Sequence, residues 1–215
     1  MSNRRLFLSA IVCIVILAFS FGVYLGLMQQ PKKSWLAVND FVVYKQDFAW
    51  AEGSVDQSAV RYMFWNITDI NGDIADVQLL SHGVQISNSR LTVTETEIYL
   101  KVNVNTRQVV ESQSQSNEMP VGSEFPFWIP KSVKAGDPIQ TSYGGSTISP
   151  SQTLQIMGQS RDCWLVAYTF NSGNNMNRYY DAATGICLLI QSHIYSNGVS
   201  VAVNETAVET NIKSV

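Results

Sequence analysis

The stretch VRYMFWNITDINGDIADVQLLS, residues 60–81, decides the class of fold. Apolar and polar side chains alternate on both sides of Asn71-Gly72, which is the two-residue period of half-buried β-strands. An Asn-Gly pair between two such runs is typical of a tight hairpin turn. The stretch therefore predicts two antiparallel strands, Val60–Asp69 and Ile74–Ser81, joined by a turn.

The same pattern continues on both sides of this hairpin, from Trp35 to the end of the chain. Short β-branched and aromatic runs alternate with Gly and Asn turns, and no long run has the 3.6-residue apolar period of a helix. Ser54–Val60 and Pro130–Ala135 are expected to form at most single helical turns. The pattern predicts an all-β domain with an antiparallel, barrel-like or strongly curved sheet, and a β-sandwich is the alternative.

A continuous apolar run, LFLSAIVCIVILAFSFGVYLGLM, precedes the domain at residues 6–28 and contains no charged side chain. A helix of this length rises ~35 Å, enough to cross a hydrocarbon core of ~30 Å. We expect a cytoplasmic head (1–5), a transmembrane signal-anchor helix in the lipid bilayer (6–28), a linker (29–34) and an extracytoplasmic domain (35–215). The alternative is a secretory signal peptide cleaved near Ser20, which would release a secreted domain.

The charge of the domain excludes one class of partner. All 17 acidic side chains follow Lys33, together with ten of the 14 basic ones, so the domain carries a net charge of −7. Nucleic-acid-binding domains usually present a basic surface, and we therefore expect no nucleic-acid partner. We infer that the domain lies on the extracytoplasmic side of the membrane from possible glycosylation sites at Asn66 and Asn204 and from a possible disulfide.

Cys163 and Cys187 are the only cysteines after residue 33. If residues 173–177 join one strand carrying Cys163 to one carrying Cys187, residues whose numbers add to 350 face each other. Cys163 then lies directly opposite Cys187, and Trp164 lies beside Ile186. A non-hydrogen-bonded pair separates Cα atoms by ~4.5 Å, which a disulfide bridges. The sequence therefore predicts a Cys163–Cys187 disulfide.

No catalytic or metal-binding pattern emerges from the remaining polar residues. Residues 69–73 (DINGD) begin like a calcium loop, but Ile74 and Leu80 occupy the positions that require Gly and a bidentate acid. A catalytic thiolate–imidazole pair with His82 or His193 is disfavoured, because a disulfide explains both sulfurs. A copper site is excluded as well, because the order of the Cys, His and Met ligands along the chain does not fit one. We expect no cofactor, no metal and no enzymatic activity.

Residues 126–138 carry three prolines around Phe127, Trp128 and Ile129. Proline denies a strand ladder its N–H donors, so we expect a loop whose aromatic side chains fold back on the core as a plug. Phe127, Trp128 and Ile129 are also the candidate apolar ligand site or interface patch.

Several short motifs, taken together, resemble known proteins. The set Phe127-Trp128-Ile129-Pro130, Gly136-Asp137, Tyr179-Tyr180-Asp181 and Thr184-Gly185 resembles small membrane-anchored or secreted all-β proteins from archaea that have no assigned activity. Its Tyr-Asp…Thr-Gly part is similar to hairpins of curved-sheet lipoprotein carriers of the LolA and LppX kind. The second resemblance implies a curved sheet that carries a lipid-like ligand, although those carriers pack helices into the sheet and this chain has no sequence for such helices.

These observations lead to two hypotheses of different class. The first is a membrane-anchored, non-enzymatic binding or interaction module, with an unknown protein partner. The alternative is a carrier or sensor that holds an apolar, lipid-like ligand between the sheet and Phe127–Ile129, and a remote alternative is an enzyme of unrecognised type. A tryptophan-lined cavity of several hundred Å³ would favour the carrier, and an exposed apolar patch would favour the interaction module.

Overall fold

The computed structural model describes residues 34–53, 55–87, 90–113, 119–170, 173–196 and 198–213. The predicted membrane-spanning segment, residues 6–28, and the predicted head, residues 1–5, lie outside the described residues. In the described part of the chain, no helix has the length and apolarity needed to cross a membrane. From Ser34 onward the chain forms one compact unit.

The described residues form twelve antiparallel strands. In chain order these are β1 Phe41–Glu52, β2 Val55–Asn71, β3 Ile74–Ser87, β4 Arg90–Asn103, β5 Val109–Gln113, β6 Pro138–Thr141, β7 Gly144–Thr147, β8 Ser149–Ile156, β9 Gln159–Thr169, β10 Asn175–Asp181, β11 Cys187–Ser196 and β12 Val199–Thr210.

Ten of these described strands form a single curved sheet in the order β5-β4-β3-β2-β1-β12-β11-β10-β9-β8, and β6 pairs with β7 in a separate hairpin. The prediction of an all-β antiparallel fold with a strongly curved sheet is confirmed. The sheet is not closed, because β5 and β8 are its two edges. The β-sandwich alternative is wrong, because the described strands do not form a second large sheet facing the first.

The hairpin predicted from residues 60–81 is confirmed. Asn71 on β2 faces Ile74 on β3, so Gly72 and Asp73 form the two-residue turn. Gly72 has a φ of +60° at the first central position, which is the conformation that a type II′ turn requires and glycine provides. The helical turn expected at Ser54–Val60 is wrong over its described part, since β2 begins at Val55.

The strand order follows from two meanders that extend in opposite directions. Strands β1 to β5 form one meander, β8 to β12 form the other, and β1 pairs with β12 at the centre of the sheet. Strands in a sheet lie about 4.8 Å apart, so the edges β5 and β8 are separated by roughly 40 Å along the sheet. The connection between them must therefore pass over the sheet, and residues 119–148 of this connection are called the crossover segment below.

The crossover segment completes the hydrophobic core on one face of the sheet. The sheet contributes alternate side chains of its central strands, such as Tyr44 on β1 and Trp65 on β2, both fully buried. The crossover segment contributes a set of buried apolar side chains: Phe125, Phe127, Trp128, Ile129, Ile139 and Ile148. One largely irregular segment, which includes the short β6–β7 hairpin, thus fills the position that a second layer of regular structure occupies in most domains.

The predicted disulfide is wrong, because β10 lies between the two cysteines. Cys163 faces Asp181 on one side of β10, and Cys187 faces Tyr180 on its other side. Strands two positions apart are separated by about 10 Å, beyond the ~7 Å Cα separation that a disulfide tolerates. In the described chain, both thiols are free and buried.

The error in this prediction comes from one turn. The chain reverses direction after Asp181. Asp181 N donates to Ile186 O across a tight turn at residues 182–185. Residues 178–195 are therefore two strands and not one. Trp164 consequently faces Tyr180 and not Ile186.

Candidate binding site

The aromatic side chains of the crossover segment form a contiguous cluster with the inner face of the sheet. The ring centroids of Phe125 and Trp128 lie 4.4 Å apart, and the Trp128 ring meets Trp65 of β2 at 5.5 Å. The Phe127 ring lies 5.4 Å from Tyr44 of β1. The predicted plug is confirmed, since these rings fold onto the core.

The three candidate residues of the crossover segment face the sheet and not the solvent. Phe127 is 4% exposed, and Trp128 and Ile129 are fully buried. They therefore offer no surface patch in this conformation, and any apolar ligand that contacts them must lie between the crossover segment and the sheet.

A short backbone pairing fixes the position of this segment. Ile129 N donates to Gly185 O at 2.8 Å, and Cys187 N donates to Phe127 O at 2.9 Å. Gly185 has a φ of +75°, and a Cβ at this position would lie 2.3 Å from Ile129 O. Only glycine therefore allows the crossover segment to approach the sheet this closely.

Two buried tyrosines supply further hydrogen bonds around this pairing. Tyr44 Oη donates to Cys187 O at 2.7 Å, and Tyr180 Oη donates to Pro126 O at 2.9 Å. Burial raises the pKa of both phenols well above the ordinary value, so both remain protonated donors at neutral pH.

A buried ionic cluster links the crossover segment to both halves of the sheet. Glu124 of the crossover segment accepts hydrogen bonds from Arg107, which follows β4, and from Arg178 of β10 at 2.9 Å. The three side chains are only 4–6% exposed. Arg107 Nη2 also donates to Gln140 O at 2.6 Å, and Glu124 Oε2 accepts from Ser142 N at 3.0 Å.

Aromatic rings flank the guanidinium of Arg178. Its Cζ lies 5.3 Å from the Tyr168 ring centroid and 5.9 Å from that of Tyr143, distances at which cation–π attraction is favourable. Beside it, a surface cleft of about 390 Å³ opens between the crossover segment and the sheet, with Met119, Ser123 and Tyr143 in its wall.

The sequence contained no signal for this cluster. Glu124 is 17 residues from Arg107 and 54 residues from Arg178, and no local spacing relates the three. They meet only because the crossover segment passes over the sheet.

A second cluster of polar side chains, Gln46, His82 and Glu205, lies on the sheet. Gln46 is 3% exposed, its Nε2 donates to Glu205 Oε1 at 3.0 Å, and its Oε1 lies 3.2 Å from His82 Nδ1. Burial raises the pKa of the Glu205 carboxyl above its ordinary value, while the bond from Gln46 opposes that shift.

The described contacts bring neither cysteine together with a histidine. His82 contacts Gln46, and His193 Nε2 lies 2.9 Å from Ser200 Oγ. Burial raises the pKa of the Cys163 thiol to about 11, and it raises that of Cys187 further. Within the described ranges, no three His, Cys, Asp or Glu side chains are grouped so as to hold a metal ion. The expected lack of enzymatic activity stays a prediction.

The two possible glycosylation sites differ in accessibility. Asn204 lies on β12 with its side chain exposed, whereas Asn66 on β2 is half-buried and its Oδ1 is fully buried. Glycosylation stays a prediction at both positions, and Asn204 is the more accessible of the two.

Comparisons with known proteins place this chain only at a distance from others. No family model matches it, and no curated protein matches it. Among solved structures, a DUF1329 family protein from Desulfovibrio piger is similar with a TM-score of 0.28 and 9% identity, over 83% of this chain and 87% of that chain. A likeness this distant carries no argument about function. The resemblance to archaeal membrane-anchored proteins has no support in these comparisons.

Proposed function

We propose that this domain is a non-enzymatic binding protein that holds an apolar or amphiphilic ligand between the curved sheet and the crossover segment. The observation that supports this proposal most is the kind of structure that covers the apolar face of the sheet. In the described part of the chain, the crossover segment with its short β6–β7 hairpin covers this face, and no helix or second large sheet does so. We further propose that residues 6–28 anchor the domain to the outer side of a membrane.

The contacts of the crossover segment make it replaceable by an apolar ligand. Its aromatic rings contact the sheet through dispersion and hydrophobic burial, which are non-directional and which an alkyl chain provides equally well. Around Phe127–Ile129 its directional attachments are the short pairing with Gly185 and Cys187 and the bond from Tyr180. Glu124 and the bond from Phe125 N to Arg107 O hold the preceding residues. A ligand can therefore displace the rings of Phe127 and Trp128 at the cost of few hydrogen bonds while residues 124–125 stay attached.

The polar atoms inside the core fit an amphiphile better than a pure hydrocarbon. The indole Nε1 atom of Trp128 is buried and has no acceptor among the described residues. A buried donor without a partner costs about 1–3 kcal/mol, and a ligand oxygen placed near this indole would remove that cost. The buried position of Phe127–Ile129 argues against the other hypothesis, in which these residues form a surface for a protein partner.

Calorimetric titration of the full-length chain with decanoate tests this proposal. With the chain in phosphatidylcholine nanodiscs and empty nanodiscs as blank, we expect saturable binding of one decanoate per chain. Phe127→Leu should bind several-fold more tightly, because a smaller side chain must be displaced and no indole donor is lost. Tyr99→Leu, which removes a surface aromatic that is 47% exposed, should bind like the wild type. Heats identical to those of empty nanodiscs would contradict the proposal.

A further inference from the structure

We propose that the cleft beside Arg178 binds a compact oxyanion, a carboxylate or a phosphate group. The cleft measures about 390 Å³ and lies between the crossover segment and the sheet, with Ser123, Glu124, Tyr143 and Arg178 in its wall. Buried charge, donors without a described partner and open space coincide in this cleft.

Two side chains of the cleft wall carry buried hydrogen-bond donors without a described partner, which fits an anionic ligand. Arg178 is 5% exposed, yet its Nε has no acceptor among the described side chains and backbone atoms. Ser123 Oγ is likewise buried and without a described partner. A guanidinium carries five N–H donors in a fixed plane that suits the paired oxygens of a carboxylate or phosphate.

The excess positive charge of the ionic cluster also favours an anion. Arg107 and Arg178 share one carboxylate, Glu124, so the cluster has a formal charge of +1. Glu124 has little capacity left, since Oε1 accepts from both arginines and Oε2 accepts from Ser142 N. Outside the cluster, the buried Glu205 carboxyl also interacts with the charge of Arg178. Buried excess charge is costly, and a bound oxyanion would neutralise it within the cleft.

The remaining walls favour a small anion that carries an apolar group. Met119, Pro120 and Pro126 line the cleft together with the ring of Tyr143. The oxyanion has two possible sources, a free small anion and the headgroup of an amphiphile whose chain lies under the crossover segment. The headgroup assignment rests on the proposed function, whereas the oxyanion site itself does not.

Titration of the full-length chain in nanodiscs with inorganic phosphate tests the site without any alkyl chain. We expect saturable binding by the wild type and at least about tenfold weaker binding by Arg178→Lys, which keeps the charge but loses the planar donor pair. Ser123→Ala should weaken binding several-fold without lowering the Tm, since it removes a hydroxyl that has no described partner. Arg61→Gln, a change of an exposed arginine outside the cleft, should bind like the wild type.

The outcomes separate this inference from the proposed function. Phosphate binding that is equal in wild type and both cleft variants, or absent from all, would overturn the oxyanion site. Phosphate binding without decanoate binding would support the site and contradict the proposed function. Decanoate binding that Arg178→Lys leaves unchanged would support the proposed function and overturn the headgroup assignment.

Discussion

Gly185→Ala is expected to destabilise the domain by about 3 kcal/mol, the combined cost of overpacking and of a left-handed backbone at a non-glycine residue. The added Cβ would lie 2.3 Å from Ile129 O, which is backbone and has no rotamer to escape into. The crossover segment must therefore shift away from Gly185, and its pairing at Ile129 and Cys187 is lost. Thermal unfolding of the full-length chain, followed by tryptophan fluorescence, measures the effect.

Gly158→Ala provides the matched control for this substitution. Gly158 has a φ of +70°, close to the +75° of Gly185, but nothing lies within 4 Å of a Cβ built there. Its substitution should cost only the backbone strain, about 1–2 kcal/mol. Equal losses of stability in the two variants would show that the contact between Gly185 and the crossover segment is not important.

Glu124→Gln is expected to cost about 3–5 kcal/mol, which is the usual effect of removing one partner from a buried ion pair. The substitution leaves Arg107 and Arg178 buried with no carboxylate between them. Because these charges are removed from solvent, added salt should restore little of the loss. Denaturant unfolding of the full-length chain at low and high salt measures both effects.

Two comparisons make this prediction specific. Glu209→Gln removes the same charge from an exposed side chain on β12 and should change stability by less than about 0.5 kcal/mol. Adding Arg178→Leu to Glu124→Gln should recover part of the loss, since one unpaired charge is then gone. A cost for Glu124→Gln as small as that for Glu209→Gln would contradict a structural role for the cluster.

Local sequence patterns predicted the parts of this fold that local physics determines. The alternation on both sides of Gly72 gave the β2–β3 hairpin, because strand period and turn chemistry are both encoded within a few residues. The prolines around Phe127 and Trp128 likewise indicated an irregular segment with aromatic rings, and burying those rings requires them to fold onto the sheet.

Long-range order was not predictable in the same way. The pairing of β1 with β12 joins residues about 160 positions apart, and no local pattern selects that partner. The misplaced cysteines show the same limit, since the predicted pairing left out the turn before Gly185, which places β10 between them. The Arg107–Glu124–Arg178 cluster depends on the path of the crossover segment, which only the complete strand order determines.

Hydrogen exchange of the full-length chain, with and without decanoate, tests most directly whether a ligand enters beneath the crossover segment. The Ile129 and Cys187 amides bridge the crossover segment and the sheet, so peptides covering residues 125–131 and 185–188 should exchange faster when decanoate is bound. Peptides from the β2–β3 hairpin should not change. Unaltered exchange in both bridging peptides at saturating decanoate would contradict the proposed site.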